Sequence, residues 1–165
     1  IRVRKVLKVW KDNEIIDDDN YAFLTGRTTV QPLMIKKMIL EDAKFRRRGL
    51  TMVDVDFSKA YDSTEQFAKD ISLRRLGFPE EGLEMWQKYD DTRNMRVLTA
   101  YGLTEGIKPE CGAWGQGAPE SSIGWLALMC WMCAAIDQKA EQPYEYMTTQ
   151  GTLKITKALY ADDGT

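Results

Sequence analysis

The chain has 165 residues, 44% apolar and 29% charged: enough for one domain with a buried core, in the proportions of an ordinary soluble protein. A net charge of −2 and a pI near 5.3 argue against a stand-alone nucleic-acid binder, which is usually basic. The lack of histidine excludes histidine general-base catalysis, and Cys130-x-x-Cys133 has no second ligand pair with which to hold zinc.

Along the chain, residues 2–10 alternate loosely through Val3, Val6 or Leu7, and Val9, which predicts a strand. Charge comes in blocks. Ile1 to Lys11 holds five positive charges, Asp12 to Asp19 five negative ones, and Lys36 to Arg48 six basic residues against two acidic. These blocks read either as solvated faces or as a phosphate-tracking patch. Asp17-Asp18-Asp19-Asn20 is a turn, and residues 22–29 form an irregular loop with a cap at Thr28 or Thr29. A helix follows to about Arg47, with Ile35, Met38, Ile39 and Ala43 near one face and Gly49 stopping it. Leu50 to Phe57, rich in β-branched residues, predicts a strand.

Ser63-x-x-Gln66 matches a capping box, so a helix should run from it with Phe67, Ile71 and Leu76 inward and Gly77 ending it. Pro79 opens another helix through Trp86 to about Tyr89. Met95 to Tyr101 alternates as a strand that turns at Gly102 toward Leu103–Ile107, and residues 110–118 form a loop. Pro119 starts an almost wholly apolar helix to about Lys139, which should be buried on most sides. Its apolar core, Ile123 to Ile136, is too short to span a bilayer, and no signal peptide precedes it. Two short strands near Tyr144–Thr148 and Thr152–Leu159 complete the pattern. The fold class is therefore α+β, an antiparallel sheet with helices mainly on one face.

Two strands deliver carboxylates at their ends: Asp54-Val55-Asp56-Phe57-Ser58-Lys59-Ala60-Tyr61-Asp62, and Tyr160-Ala161-Asp162-Asp163. Neighbouring carboxylates repel unless cations bind them. An isolated Asp-Asp pair is usually a turn, but two such clusters fit a two-metal phosphoryl-transfer site. Such a site holds two hard cations roughly 3.5–4 Å apart on shared oxygens. Between the clusters, Gly115-Gln116-Gly117-Ala118-Pro119 opens the apolar helix, whose positive N-terminal end suits a phosphate.

The segment Asp56 to Asp62 resembles the first palm motif of reverse transcriptases of the non-LTR (LINE-type) retrotransposon kind. Gln116-Gly117-x-Pro119 resembles the second motif and Tyr160-Ala161-Asp162-Asp163 the third. Phe23-x-x-Gly26-Arg27-Thr28-Thr29 is similar to a fingers segment of that family, and Arg74-Arg75-Leu76-Gly77-Phe78-Pro79 to its helix-ending segment. The resemblance covers residues 20–165 in order. It implies a palm-like sheet with partial fingers and no thumb: 1–50 as the fingers segment, 51–165 as the palm segment, together one compact unit.

It further implies an RNA-directed DNA polymerase adding dNTPs to a primer 3′-hydroxyl on an RNA template. Asp56, Asp162 and Asp163 would hold two Mg²⁺ ions, or Mn²⁺ in their place, with the carbonyl of Phe57 completing the coordination. Tyr61 matches the position whose ring selects deoxyribose; it also reads as a core tyrosine. Gln116 and Gly117 would meet nucleotide and template. Arg27 would lie near their phosphates, or is a plain surface arginine. Asp54 and Asp62 should point away from the metals. Nuclear or cytoplasmic location, or an organelle, fits this reading and the free thiols, and no membrane is expected.

Departures from the family pattern qualify what is implied. The second motif usually reads Gly-x-Arg-Gln-Gly-x-Pro-Leu-Ser-Pro, whereas here no arginine precedes Gln116 and Glu120 replaces an apolar residue. The chain starts at Ile1 and stops two residues after Asp163, so both ends are expected to be cut. The return strand, primer grip and thumb are then expected to be missing, and the piece alone to be inactive. The alternative is an inactive reverse-transcriptase remnant serving as a structural or interaction module in a larger assembly. A nucleotide cyclase would share the paired carboxylates but needs neither Gln116-Gly117 nor Tyr61.

Overall fold

The computed structural model describes residues 3–108, 118–161 and 163–164. Six helices and three small antiparallel sheets make up the described residues, an α+β arrangement as expected. The sheets are shorter and more scattered than the single sheet the sequence predicts.

At the core lies the apolar helix, Pro119–Lys139, which begins and ends where the sequence places it. Ile123, Leu126, Ala127, Met129 and Cys133 are completely buried, because a helix apolar on all sides is stable only when surrounded. Against it packs the helix Gln66–Arg75, through Leu73. Leu76, Phe78, Leu83 and Trp86 extend the same core, with Phe78 stacked on Trp86 at 4.7 Å between centroids. Leu83 and Trp86 belong to the helix Glu80–Thr92.

Several local readings are corrected. Residues 3–12 form a helix, Val3–Asp12, rather than a strand. Val3, Val6, Leu7 and Trp10 fall at helical spacing and meet the core, and Arg4, Lys5, Lys8 and Lys11 are left on the outer side. The Ser63-x-x-Gln66 capping box does not form. Ser63 ends a short helix, Ala60–Ser63, and its hydroxyl donates to the carbonyl of Lys59 at 3.0 Å, while Gln66 begins the next helix without a side-chain cap. That helix buries Lys69, Ser72 and Leu73 instead of Phe67, which is 69% exposed, and Ile71, because Lys69 pairs with Asp90 and so turns inward. The long helix before it, Val30–Arg46, stops ahead of Gly49: Arg47 itself takes the left-handed conformation, φ 53, and Thr29, at the N-cap, makes no side-chain capping hydrogen bond. Ile39 and Ala43 are buried there as expected, whereas Met38 is exposed.

Gly77 ends its helix as predicted. It sits at φ 71, with the Phe78 amide donating to the Leu73 carbonyl at 3.0 Å and the Gly77 amide to that of Arg74, a Schellman closure.

The first sheet carries the candidate chemistry. Its strands are β1 (Val55–Asp56), β6 (Leu159–Tyr160) and β7 (Asp163–Gly164), in the order β1-β7-β6 and antiparallel throughout. Only Val55 and Asp56 of the run predicted over 50–57 are strand, since β7 offers a partner just two residues long. The expectation that the strand before the Asp-Asp pair lacks a hairpin partner is also corrected: β7 folds back on β6. β6 is tied on its other side to residues 19–21, through Leu159 and Tyr21 backbone groups at 2.9 Å. The second sheet, β2 (Leu98–Thr99) with β3 (Gly102–Leu103), is an exposed hairpin turning where the sequence predicts. The third, β4 (Tyr144–Thr148) with β5 (Gly151–Ile155), leans on the helix Val30–Arg46 through a Tyr144 hydroxyl that donates to Asp42 at 2.6 Å. The predicted strand over 152–159 is thus divided between β5 and β6. Among the described residues no helix is long and apolar enough to cross a membrane.

Candidate active site

The register of the first sheet sets the geometry. Asp56 on β1 is the direct partner of Asp163 on β7, and Val55 is the partner of Gly164. Antiparallel partners stand about 4.5–5.5 Å apart between Cα atoms. The pairing thus brings together two residues 107 positions apart in the sequence. Asp56 is exposed at the strand end.

The chain leaves β1 through Phe57 and passes Lys59, which is left-handed at φ 52, before entering the short helix that carries Tyr61. Phe57 and Tyr61 are both half-buried on Trp125. The Phe57 ring meets the indole edge-on at 5.9 Å, and the Tyr61 ring lies tilted at 5.4 Å. Trp125 also donates its indole N–H to the carbonyl of Ala161, at 2.7 Å. Ala161 occupies the turn between β6 and β7 at φ 55. One side chain of the central helix thus touches the segment after Asp56, the helix of Tyr61 and the β6–β7 turn. The sequence offered no sign of this, because Trp125 lies in an apolar run where any large residue reads as core.

The other expected residues are placed as follows. Asp54 is held by Lys36 at 2.5 Å and turned to that partner. Arg27 pairs with Asp18 at 2.9 Å, also donates to its backbone carbonyl, and lies over the Tyr21 ring at 4.9 Å. Because residues 19–21 run beside β6, Arg27 approaches the sheet from the edge opposite β1. It borders a cavity of about 600 Å³ that it shares with Asp17, Asp19, Asp137 and Lys157. Gln116, Gly117 and Asp162 lie outside the described residues, and of Asp163 the backbone alone is described. Among the described residues no His, Cys, Asp and Glu group assembles that could hold a metal ion. Cys130 and Cys133 are buried free thiols. Burial pushes Cys130 up to about 11 and Cys133 higher still, which suits core residues rather than ligands.

Lys157, just before β6, is a second residue that sequence reasoning missed. It is buried and contacts Asp137 at 2.6 Å, Asp19 at 3.3 Å and Asp17 at 3.5 Å. The strand leading to Asp162 is thereby fastened both to the end of the central helix and to the N-terminal loop.

No family model matches the chain. It is 26% identical over 154 residues, 92% of its length, to the "Retrovirus-related Pol polyprotein from type-1 retrotransposable element R2" of Nasonia vitripennis. The chain spans 14% of the length of that relative. The likeness runs through nearly all of the described fold and supports a retrotransposon-related origin for the chain.

Proposed function

We propose that this chain belongs to the catalytic part of an RNA-directed DNA polymerase that extends a DNA primer on an RNA template with dNTPs. The observation that carries the reading is the pairing of Asp56 with Asp163, which sets two aspartates of separate motifs side by side at one end of a small sheet. The likeness to a retrotransposon Pol polyprotein supports it independently.

In this reading Asp56, Asp162 and Asp163 supply carboxylate oxygens and Phe57 its carbonyl, an all-oxygen donor set of the kind Mg²⁺ or Mn²⁺ takes. When bound, such ions lower the pKa of a primer hydroxyl and neutralise charge on the departing pyrophosphate. The chain's own residues orient the reactants. Asp56 is exposed and would face the triphosphate, and the ring of Tyr61, braced by Trp125, would crowd a 2′-hydroxyl. Gln116 and Gly117, before the positive end of the central helix, meet nucleotide and template. Arg27, over the Tyr21 ring, would face template or nucleotide phosphates once its pairing with Asp18 is exchanged.

Primer extension by the full-length protein on an RNA template tests this, with Asp56→Asn and Asp162→Asn as controls. Extension by the wild type that either substitution lowers by at least ~10³-fold supports the reading. No extension by the wild type favours the inactive structural module, and cyclic product formed from NTP without primer favours a cyclase.

A further inference from the structure

We propose that Trp125 is a positioning residue: its indole fixes the β6–β7 turn relative to the Tyr61 ring, so that one side chain sets both the metal affinity of the site and its choice of sugar. This rests on the two-metal reading and names a residue that acts only through others.

Four observations carry this. Its N–H is donated to the carbonyl of Ala161, the residue immediately before Asp162 in the sequence, at 2.7 Å. Trp125 is 2% exposed, so this N–H has little access to water and the bond would be costly to lose. Ala161 stands at φ 55, a left-handed conformation that non-glycine residues hold only when their surroundings impose it. The hydrogen bond is such a constraint, aimed at that peptide. The ring of the same indole carries Phe57 and Tyr61 on the chain leaving Asp56. An ordinary core tryptophan would fill volume. Trp125 also spans the two arms of the site: a rotation of its ring shifts the turn before Asp162 and the Tyr61 ring together.

The test uses full-length protein, Mn²⁺ binding followed by electron paramagnetic resonance, and the ratio of dNTP to rNTP incorporation. Trp125→Phe removes the donor and keeps an aromatic ring. Replacing Trp125 by benzothienylalanine keeps the bicyclic shape and removes only the N–H, and decides the matter should the phenylalanine variant not fold. Both should bind Mn²⁺ roughly five- to tenfold more weakly, as loss of one buried hydrogen bond implies. Both should also incorporate rNTP more readily. Ala161→Gly added to Trp125→Phe should recover part of the Mn²⁺ affinity, because glycine adopts the left-handed turn without strain. Wild-type affinity and selectivity in the benzothienylalanine protein would overturn the proposal. If the wild type binds no Mn²⁺, or Asp162→Asn leaves its binding unchanged, the two-metal reading fails first and the positioning role falls with it.

Discussion

The ammonium group of Lys157 lies 2.6 Å from a carboxylate oxygen of Asp137, twenty residues earlier and at the far end of the central helix. Asp17 and Asp19 complete a cage around it. Burial by itself would pull the lysine pKa down. The hydrogen bond it donates to Asp137 and the charges of Asp17 and Asp19 outweigh that and hold it above the ordinary 10.5. The cage fastens the approach to β6, and so bears on every residue beyond it.

Lys157→Met should destabilise the fold by about 2–3 kcal/mol, less than for a fully buried ion pair because Asp19 and Asp137 keep 42% and 45% exposure. The pH dependence follows from the raised lysine pKa. Its contribution is fully present below the unfolded value of 10.5 and is lost as pH rises through the higher folded value. Urea unfolding should therefore show a constant gap between wild type and variant near neutrality that narrows once the pH passes 10.5. Equal stabilities at neutral pH would remove the cage from the account of the fold.

On the proposed polymerase reading, Tyr61→Ala should raise rNTP incorporation relative to dNTP by roughly tenfold or more, since the ring braced at 5.4 Å on Trp125 would then crowd the 2′-hydroxyl. Tyr61→Phe keeps the ring and should retain the selectivity. Single-nucleotide incorporation by both variants is the measurement, and unchanged sugar preference in the alanine protein removes Tyr61 from this role.

The thiols of Cys130 and Cys133 should resist modification in the native protein at about pH 8, because burial holds Cys130 up at about 11 and raises Cys133 further. A thiol raised in this way favours folding less as pH climbs: between 9.0 and about 11 the unfolded chain ionises Cys130 and the folded one does not. Timed reaction with Ellman's reagent should show at most one of the three thiols reacting fast, with the rest released on adding denaturant.

Gly77→Ala should cost about 1 kcal/mol. The added Cβ would meet nothing within 4 Å, so the penalty is that of holding a side chain at φ 71. A thermal midpoint lowered by several degrees is expected, and an unchanged midpoint would mean that the Schellman closure relaxes without cost.

Much of the architecture was legible in the sequence where local rules act alone. The helix from Pro119 to Lys139 could be read because proline presets the first turn and an unbroken apolar run has to be buried. Gly77 and Gly102 marked their turns because both stand at positive φ, 71 and 118, where other residues are strained. Residues 3–12 were misread because Val3, Val6, Val9 and their neighbours fit a period of two loosely as well as a period near 3.6. Only the core that receives Trp10 chose between them. Ser63 and Gln66 have the right spacing for a capping box, yet Ser63 was already engaged in ending the preceding short helix.

Of the site, the sequence by itself determined which residue types are present: carboxylates at Asp56 and Asp163, an aromatic at Tyr61, no histidine to compete with them. Tertiary structure alone decided that Asp56 faces Asp163 across a strand pair, that Lys157 is caged by three aspartates, and that Trp125 reaches Ala161. The reason is physical. Local propensity is carried by neighbours a few residues apart, whereas strand register and side-chain pairing join positions 20 to 140 residues apart, and closing those loops is repaid only by the packed core as a whole.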